Sequence, residues 1–222
     1  MASLDELTPA ERARLLSRPE GELGIAIGKN MNQTNGKLIE MVYRRLGLEA
    51  GHSVLEIGFG NGRTVPLLMA LADSLTYVGV DIAETMVGEA RSFNRPLIEA
   101  GRATFHLASA ASLPCSDASF NRVLAVNVVY FWPDPLRVLA EIRRVLRPDG
   151  FSIIAGMDSV TAATRPFYRA EYGFRVHDAD ALIAFHRQAG FTNIDVEPYD
   201  EITTASDGMP HARHYHIVIS RP

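Results

Sequence analysis

Cysteine is nearly missing from this chain: Cys115 is the only one. No disulfide can form within the chain, and a metal cluster built on several thiolates is excluded. A reducing compartment, the cytoplasm, is the simplest home. No apolar run of about eighteen residues occurs, so no membrane-spanning helix is expected. The opening stretch, Met1-Ala2-Ser3-Leu4-Asp5-Glu6-Leu7, lacks the basic-then-apolar pattern of a secretory signal. Basic charge is not in excess either. The 22 Lys and Arg stand against 26 Asp and Glu, for a formal net charge of −4. Such a chain has no bulk attraction for nucleic acid, and none is expected as a partner. Internal repeats, low-complexity tracts and obvious linkers are missing. So are a serine nucleophile elbow, zinc-ligand spacing and paired catalytic carboxylates, so no metal is expected.

What the chain does have is alternation. Its 222 residues, 47% of them hydrophobic, suffice for one domain with its own core. Thr8-Pro9-Ala10-Glu11 reads as a capping box with proline at the first helical position, which predicts a helix over residues 9–18. Pro19 and Gly21 end it, and the Gly-rich stretch 19–31 reads as a loop or flap. Leu38, Ile39, Val42, Tyr43 and Leu46 recur at helical spacing and predict a helix over 32–46. Strands over 53–57, 76–80, 103–107, 120–126 and 151–155 then alternate with helices over 63–72, 83–93 (resuming to 99 past Pro96) and 135–146. Arg147-Pro148-Asp149-Gly150 reads as a turn. A helix over 179–189 precedes two strands, 194–198 and 215–220, which have no helix between them. This order predicts an α/β fold: a doubly wound, mostly parallel seven-stranded sheet with an antiparallel strand near one edge. The expected layout is a single domain, with an N-terminal helix and flap (1–31), a core (32–156), an insertion (157–177) and C-terminal helix and strands (178–222).

The most informative segment is Val54-Leu55-Glu56-Ile57-Gly58-Phe59-Gly60-Asn61-Gly62, followed at Asp81 by the end of a second apolar strand. Alternating glycines let the backbone turn tightly and approach a ligand where a Cβ would clash. A carboxylate at the tip of the next strand can accept hydrogen bonds from both hydroxyls of a ribose. Together they predict a nucleoside-containing cofactor across the carboxyl ends of the sheet.

These residues, with Leu113-Pro114, Ser119-Phe120 and Leu146-Arg147-Pro148-Asp149-Gly150, resemble the class I S-adenosylmethionine-dependent methyltransferases. The resemblance is to their small-molecule branch, called methyltransferase type 11 or the ubiquinone/menaquinone-biosynthesis-like group, and it covers about residues 32–156. It implies a Rossmann-like fold, S-adenosylmethionine as cofactor and a small-molecule methyl acceptor. It also implies that Glu56, Gly58, Phe59 and Gly60 lie along the cofactor, with Glu56 near the methionine amino end. By the same resemblance, Asp81 is the implied ribose ligand, Ile82 and Met86 the implied packing on adenine, and Asn127 the residue implied to face the methyl-transfer region. Ser109 and Ala110 stand where the family commonly has an acidic residue followed by Ala; a serine hydroxyl is shorter and uncharged. Methyl transfer from a sulfonium needs positioning more than a nucleophilic side chain or metal.

Two other readings stay open. A nicotinamide-dependent oxidoreductase would want G-x-G-x-x-G, and here Arg63 fills the sixth position. A non-catalytic cofactor-binding subunit would explain the lack of an obvious base. On the acceptor side, Tyr130, Phe131 and Trp132 either line a substrate pocket or cover the sheet end. The run from Gly28 to Asn35 is either a flap over the cofactor or a capping loop. The insertion contributes Tyr168 and Tyr172 as candidate substrate contacts. Tyr130, His177 and His214 are candidate catalytic groups, and His211 and His216 are further possible bases. Cys115 reads as a small apolar filler.

Overall fold

The structure, a computed structural model, describes residues 4–204 and 210–222. Helix α1 (Pro9–Ser17) begins on the expected capping box. Thr8 Oγ1 accepts the Glu11 N–H at 3.3 Å, and the Glu11 carboxylate accepts the Thr8 N–H at 2.9 Å. Helix α2 (Gly21–Arg45) corrects the expectation of a loop over 19–31: it is one helix of 25 residues. Two of its glycines serve close contact rather than flexibility. A Cβ on Gly24 would lie 2.6 Å from the Pro19 carbonyl carbon, and one on Gly28 would lie 3.2 Å from Met86 Sδ and 3.3 Å from Asn61 Nδ2. Burial of Ile27, Leu38, Val42 and Tyr43 outweighs the helix-propensity cost of about 1 kcal/mol per glycine. Gly36 is different: a Cβ there would meet nothing within 4 Å.

The chain continues through β1 (Ser53–Ile57), α3 (Val65–Met69), β2 (Thr76–Asp81), α4 (Glu84–Phe93), α5 (Arg95–Glu99), β3 (Ala103–Leu107) and β4 (Phe120–Val126). After β4 come a 3-10 turn (Val129–Phe131), α6 (Pro135–Val145), β5 (Leu146–Met157) and α7 (Ser159–Ala163). A second 3-10 turn (Ala170–Tyr172), α8 (Ala179–Gln188), β6 (Asn193–Thr204) and β7 (Pro210–Arg221) complete it. The seven strands form one sheet in the order β3-β2-β1-β4-β5-β7-β6. Strands β1 to β5 pair in parallel, and β7 runs antiparallel to both β5 and β6. The antiparallel strand is therefore one in from the edge. Val54, Leu55, Val123, Leu124, Ile153 and Ile154 are buried at the sheet's centre, as expected of strands covered on both faces.

Two further differences have local causes. The expected turn over 147–150 is absorbed into β5, whose register against β4 shifts between Phe120 and Arg122. The β6–β7 hairpin is also longer than predicted, pairing from Asn193 with Arg221 to Thr204 with Pro210. Its outer half is held by polar pairs such as Asp200 with His214 and Glu201 with Tyr215, which carry no hydrophobic period. The middle of the expected connection, 205–209, lies outside the described residues. Among the described residues, no helix is long and apolar enough to cross a membrane.

The glycine turn after β1 generates a contrast in stability. Gly60 and Gly62 both have positive φ, at 63° and 67°. A Cβ on Gly60 would meet nothing within 4 Å, whereas one on Gly62 would lie 2.7 Å from Ala90 Cβ and 2.9 Å from Asn94 Nδ2. Gly60→Ala is expected to cost about 1 kcal/mol of backbone strain. Gly62→Ala adds overpacking and should cost at least about 3 kcal/mol. Urea denaturation of both variants measures this; equal losses would show that the α4 contact does not constrain the turn.

Candidate functional site

A cleft of about 270 Å³ opens at the carboxyl ends of β1, β2 and β4. Its floor includes Ile57 and Gly58 after β1, Val80 and Asp81 on β2, and Val126 and Asn127 after β4. Chain order reverses between β1 and β4, which is where open α/β sheets form ligand crevices. Helices α1 and α2 supply the remaining wall through Leu16, Ser17, Met31 and Ile39.

Asp81 organises the floor. Its carboxylate accepts the Gly60 N–H at 3.1 Å and the Ala83 N–H at 2.8 Å. One side chain thereby joins the end of β2 to the glycine turn and to the start of α4. Burial pushes its carboxyl up to about 6, against the lowering effect of the backbone N–H groups of Ala83, Gly60 and Ile82. Glu56, 3% exposed, lies beside it under the turn. Its carboxylate accepts the Tyr77 hydroxyl at 2.8 Å and the Tyr43 hydroxyl at 3.1 Å. Burial raises Glu56 to about 7; the two tyrosine bonds oppose the shift, and the Asp81 charge adds to it.

The residues that the resemblance assigns to a cofactor all line this cleft: Glu56, Gly58, Phe59, Gly60 and Asp81, with Ile82, Met86, Ser109, Ala110 and Asn127. Gly58 is required for packing, since a Cβ there would lie 2.3 Å from Val128 Cγ1. Ser109 Oγ already accepts the Ala111 N–H at 3.2 Å, which leaves its O–H free to donate. Phe131 and Trp132 line the cleft as well.

Five candidates are elsewhere. Tyr130, 1% exposed, is turned into the core. Its hydroxyl donates to Asn127 Oδ1 at 2.5 Å and accepts the Met157 N–H at 3.0 Å, so it is no free base. Tyr168 packs on Phe174 with ring centroids 4.3 Å apart. Tyr172 ends a 3-10 turn and packs against the core's margin. The His177 ring meets the Phe185 ring edge-on, and burial lowers its pKa. His214 Nδ1 lies 2.7 Å from Asp200 Oδ1 across the β6–β7 hairpin, a bond that raises its pKa. None of the five lines the cleft. Among the described residues, no group of three or more His, Cys, Asp or Glu side chains is placed to hold a metal ion.

The chain resembles known proteins in sequence and in fold. Residues 55–154 match the family model described as "Methyltransferase domain". Over these residues the chain is similar to the methyltransferase-domain family. Among curated relatives, methyltransferase GfsG of Streptomyces halstedii is 30% identical over 174 residues, which cover 75% of this chain and 62% of the relative. O-methyltransferase cnsE of Penicillium expansum is 32% identical over 164 residues, 72% of this chain and 59% of the relative. The chain thus spans about three fifths of these relatives' length. The solved phosphoethanolamine N-methyltransferase 2 of Haemonchus contortus, in complex with S-adenosyl-L-methionine, shares the fold with a TM-score of 0.66 at 15% identity. That match covers 84% of this chain and 52% of the other.

The run from Gly28 to Asn35, expected as a flap or a capping loop, lines the cleft as one face of α2 instead. Gly28, Met31, Asn32, Asn35 and Ile39 line the cleft at helical spacing, i, i+3, i+4, i+7 and i+11. The periodicity is present in the sequence, but its members are small or polar and do not read as an apolar stripe. Tyr43 and Tyr77, which hold Glu56, were also missed, because nothing local marks a tyrosine as a partner of a distant acid.

The raised acids set a pH dependence. The folded protein keeps the Glu56 proton up to about pH 7, while the unfolded chain releases it near the ordinary 4.5. This group's stabilisation is complete below its unfolded pKa and is lost as pH rises through the folded value. Asp81 acts in the same sense between 3.8 and about 6. Wild-type denaturation midpoints are therefore expected to fall from pH 5 to pH 7, and less steeply in Glu56→Gln. Parallel slopes would show that Glu56 is already ionised throughout that window.

Proposed function

We propose that this chain binds S-adenosylmethionine in the cleft and transfers its methyl group to a small-molecule acceptor. Charge carries this reading. Among the described residues, Glu56 and Asp81 are the only acidic or basic side chains lining the cleft. Two partly or fully buried acids suit a ligand bearing a sulfonium and an ammonium, and repel the pyrophosphate of a nicotinamide dinucleotide. Shape supports the same ligand. The space over Gly60 is open to 4 Å around a Cβ position, so the turn leaves room for a ligand against its backbone.

In this reading the remaining lone pairs of Asp81 hold the ribose hydroxyls. Ile82 and Met86 flank the adenine, and Ser109 and Ala110 meet its edge. Glu56, Gly58, Phe59 and Asn127 surround the amino-acid end and the methyl-transfer region. When bound, the cofactor supplies a methyl group already activated on sulfur for a single direct displacement. The chain's part is to orient the acceptor and keep water out. Phe131, Trp132, Met31 and Ile39 add apolar lining, and the other polar lining side chains are neutral, which suits an uncharged acceptor. The relative named an O-methyltransferase supports an oxygen as the acceptor atom.

Calorimetry with S-adenosylhomocysteine tests the cofactor. Asp81→Ala should weaken binding at least about tenfold, because hydrogen bonds to a charged group are lost. Unchanged affinity would remove Asp81 from the site, and binding of NADH in place of S-adenosylhomocysteine would reject the reading. Transfer of labelled methyl from S-adenosylmethionine to a panel of phenols and other hydroxylated small molecules tests the reaction.

A further inference from the structure

Tyr130 is no free base, but its buried hydroxyl fixes a side chain that belongs to the cleft. The Met157 backbone N–H, which can only donate, occupies one lone pair of that hydroxyl at 3.0 Å. The Tyr130 proton goes to Asn127 Oδ1 at 2.5 Å. Turned the other way, the Asn127 amide would bring a second donor to the hydroxyl and leave its proton without this acceptor. Oδ1 is therefore held inward and Nδ2 is the remaining donor. Asn127 is half-buried and lines the cleft, and its Nδ2 makes no hydrogen bond among the described residues. The backbone is fixed as well. Asn127 has a φ of 58°, uncommon outside glycine, and its N–H donates to the Ala155 carbonyl at 2.8 Å. Tyr130 is braced in turn. The rings of Phe131, Tyr168 and Phe174 lie 5.7, 5.6 and 5.9 Å from its own, and the Arg175 N–H donates to its carbonyl at 2.9 Å. Gly156 leaves room for the ring, since a Cβ there would lie 3.4 Å from Tyr130 Cε1.

A donor at this point sorts methyl acceptors by their lone pairs. A hydroxyl oxygen has two: it can accept from Nδ2 with one and attack the methyl carbon with the other. The new O–C bond then forms, the electron pair of the broken S–C bond stays on sulfur, and the hydroxyl proton passes to solvent. An amine nitrogen has a single lone pair, which the attack consumes. Nδ2 is then left unpaired, and the amine's own N–H groups face a donor. Resting on the cofactor reading above, we infer that Tyr130 is a positioning residue: it holds Asn127 Nδ2 toward the methyl-transfer region and thereby favours an oxygen over an amine as methyl acceptor.

Calorimetry with two ligands tests this: S-adenosylhomocysteine, and sinefungin, which carries a protonated amine on carbon in place of the methyl on sulfur. Sinefungin thus sets a donor where the methyl group would be. Tyr130→Phe keeps the ring and removes the hydroxyl, freeing the Asn127 amide to turn Oδ1 to the cleft. Relative to wild type, it is expected to shift the ratio of the two affinities toward sinefungin by at least about threefold. Asn127→Asp places an acceptor there without altering Tyr130. It should shift the ratio the same way by at least about tenfold, and it decides the matter if Tyr130→Phe does not fold. Equal changes for both ligands in Tyr130→Phe would reduce Tyr130 to a structural role and overturn the assignment. So would an unshifted ratio in Asn127→Asp, or transfer of labelled methyl by the wild type to anilines as readily as to the matching phenols. If the wild type binds neither ligand, the cofactor reading itself fails, and this inference with it.

Discussion

The Asp81 carboxylate is the tie on which the site depends. It takes one N–H from the glycine turn and another from the start of α4, while its own backbone ends β2. Three elements that are separate in the chain are thereby held at one point. The Gly58 N–H, donating to the Val80 carbonyl at 2.8 Å, secures the same junction from the other side. Each carboxylate oxygen receives a single one of these bonds and retains acceptor capacity. The group that builds the turn is therefore also able to hold a ligand over it.

A second acid links the cleft to the core. Glu56 is bonded to Tyr43 from α2 and Tyr77 from β2, so the covering helix and the sheet meet on one buried carboxylate. Tyr43 also lies 3.0 Å from Thr64 Oγ1, just before α3. These contacts place the α2 wall, the glycine turn and the first helix after it in one hydrogen-bonded group. The floor acids are raised by burial rather than by any metal-like cluster, and the cleft is acidic where it is deepest.

Much of this was legible in the sequence because it rests on spacing. β1, β3 and β4 show the expected bounds, since each is a short segment of apolar or alternating residues set off by turns. The distance from Gly62 to Asp81 is one helix and one strand of a parallel unit, so the pairing of turn and carboxylate survives as a linear pattern. Side-chain direction does not. Tyr130, Tyr168, Tyr172, His177 and His214 have the right chemistry for an acceptor site, yet each faces the core, an aromatic neighbour or a cross-strand partner. The stretch 19–31 misled for a related reason. A glycine signals either freedom or close contact, and at Gly24 and Gly28 the contacting atoms belong to Pro19, Met86 and Asn61, whose approach no local pattern announces.

Helix α2 divides into two unequal halves. Its C-terminal half carries Leu38, Val42 and Tyr43 into the core, while its N-terminal half presents Gly28, Met31, Asn32 and Asn35 to the cleft. Gly36 sits at the boundary, where no neighbour demands a missing side chain. Glycine there costs the helix about 1 kcal/mol relative to alanine, and the Arg213 guanidinium holds the nearby Thr34 carbonyl at 2.7 Å. The covering half is held by close approach, Gly24 to Pro19 and Gly28 to Met86 and Asn61, so a side chain added at either glycine would pry the roof of the cleft from its floor.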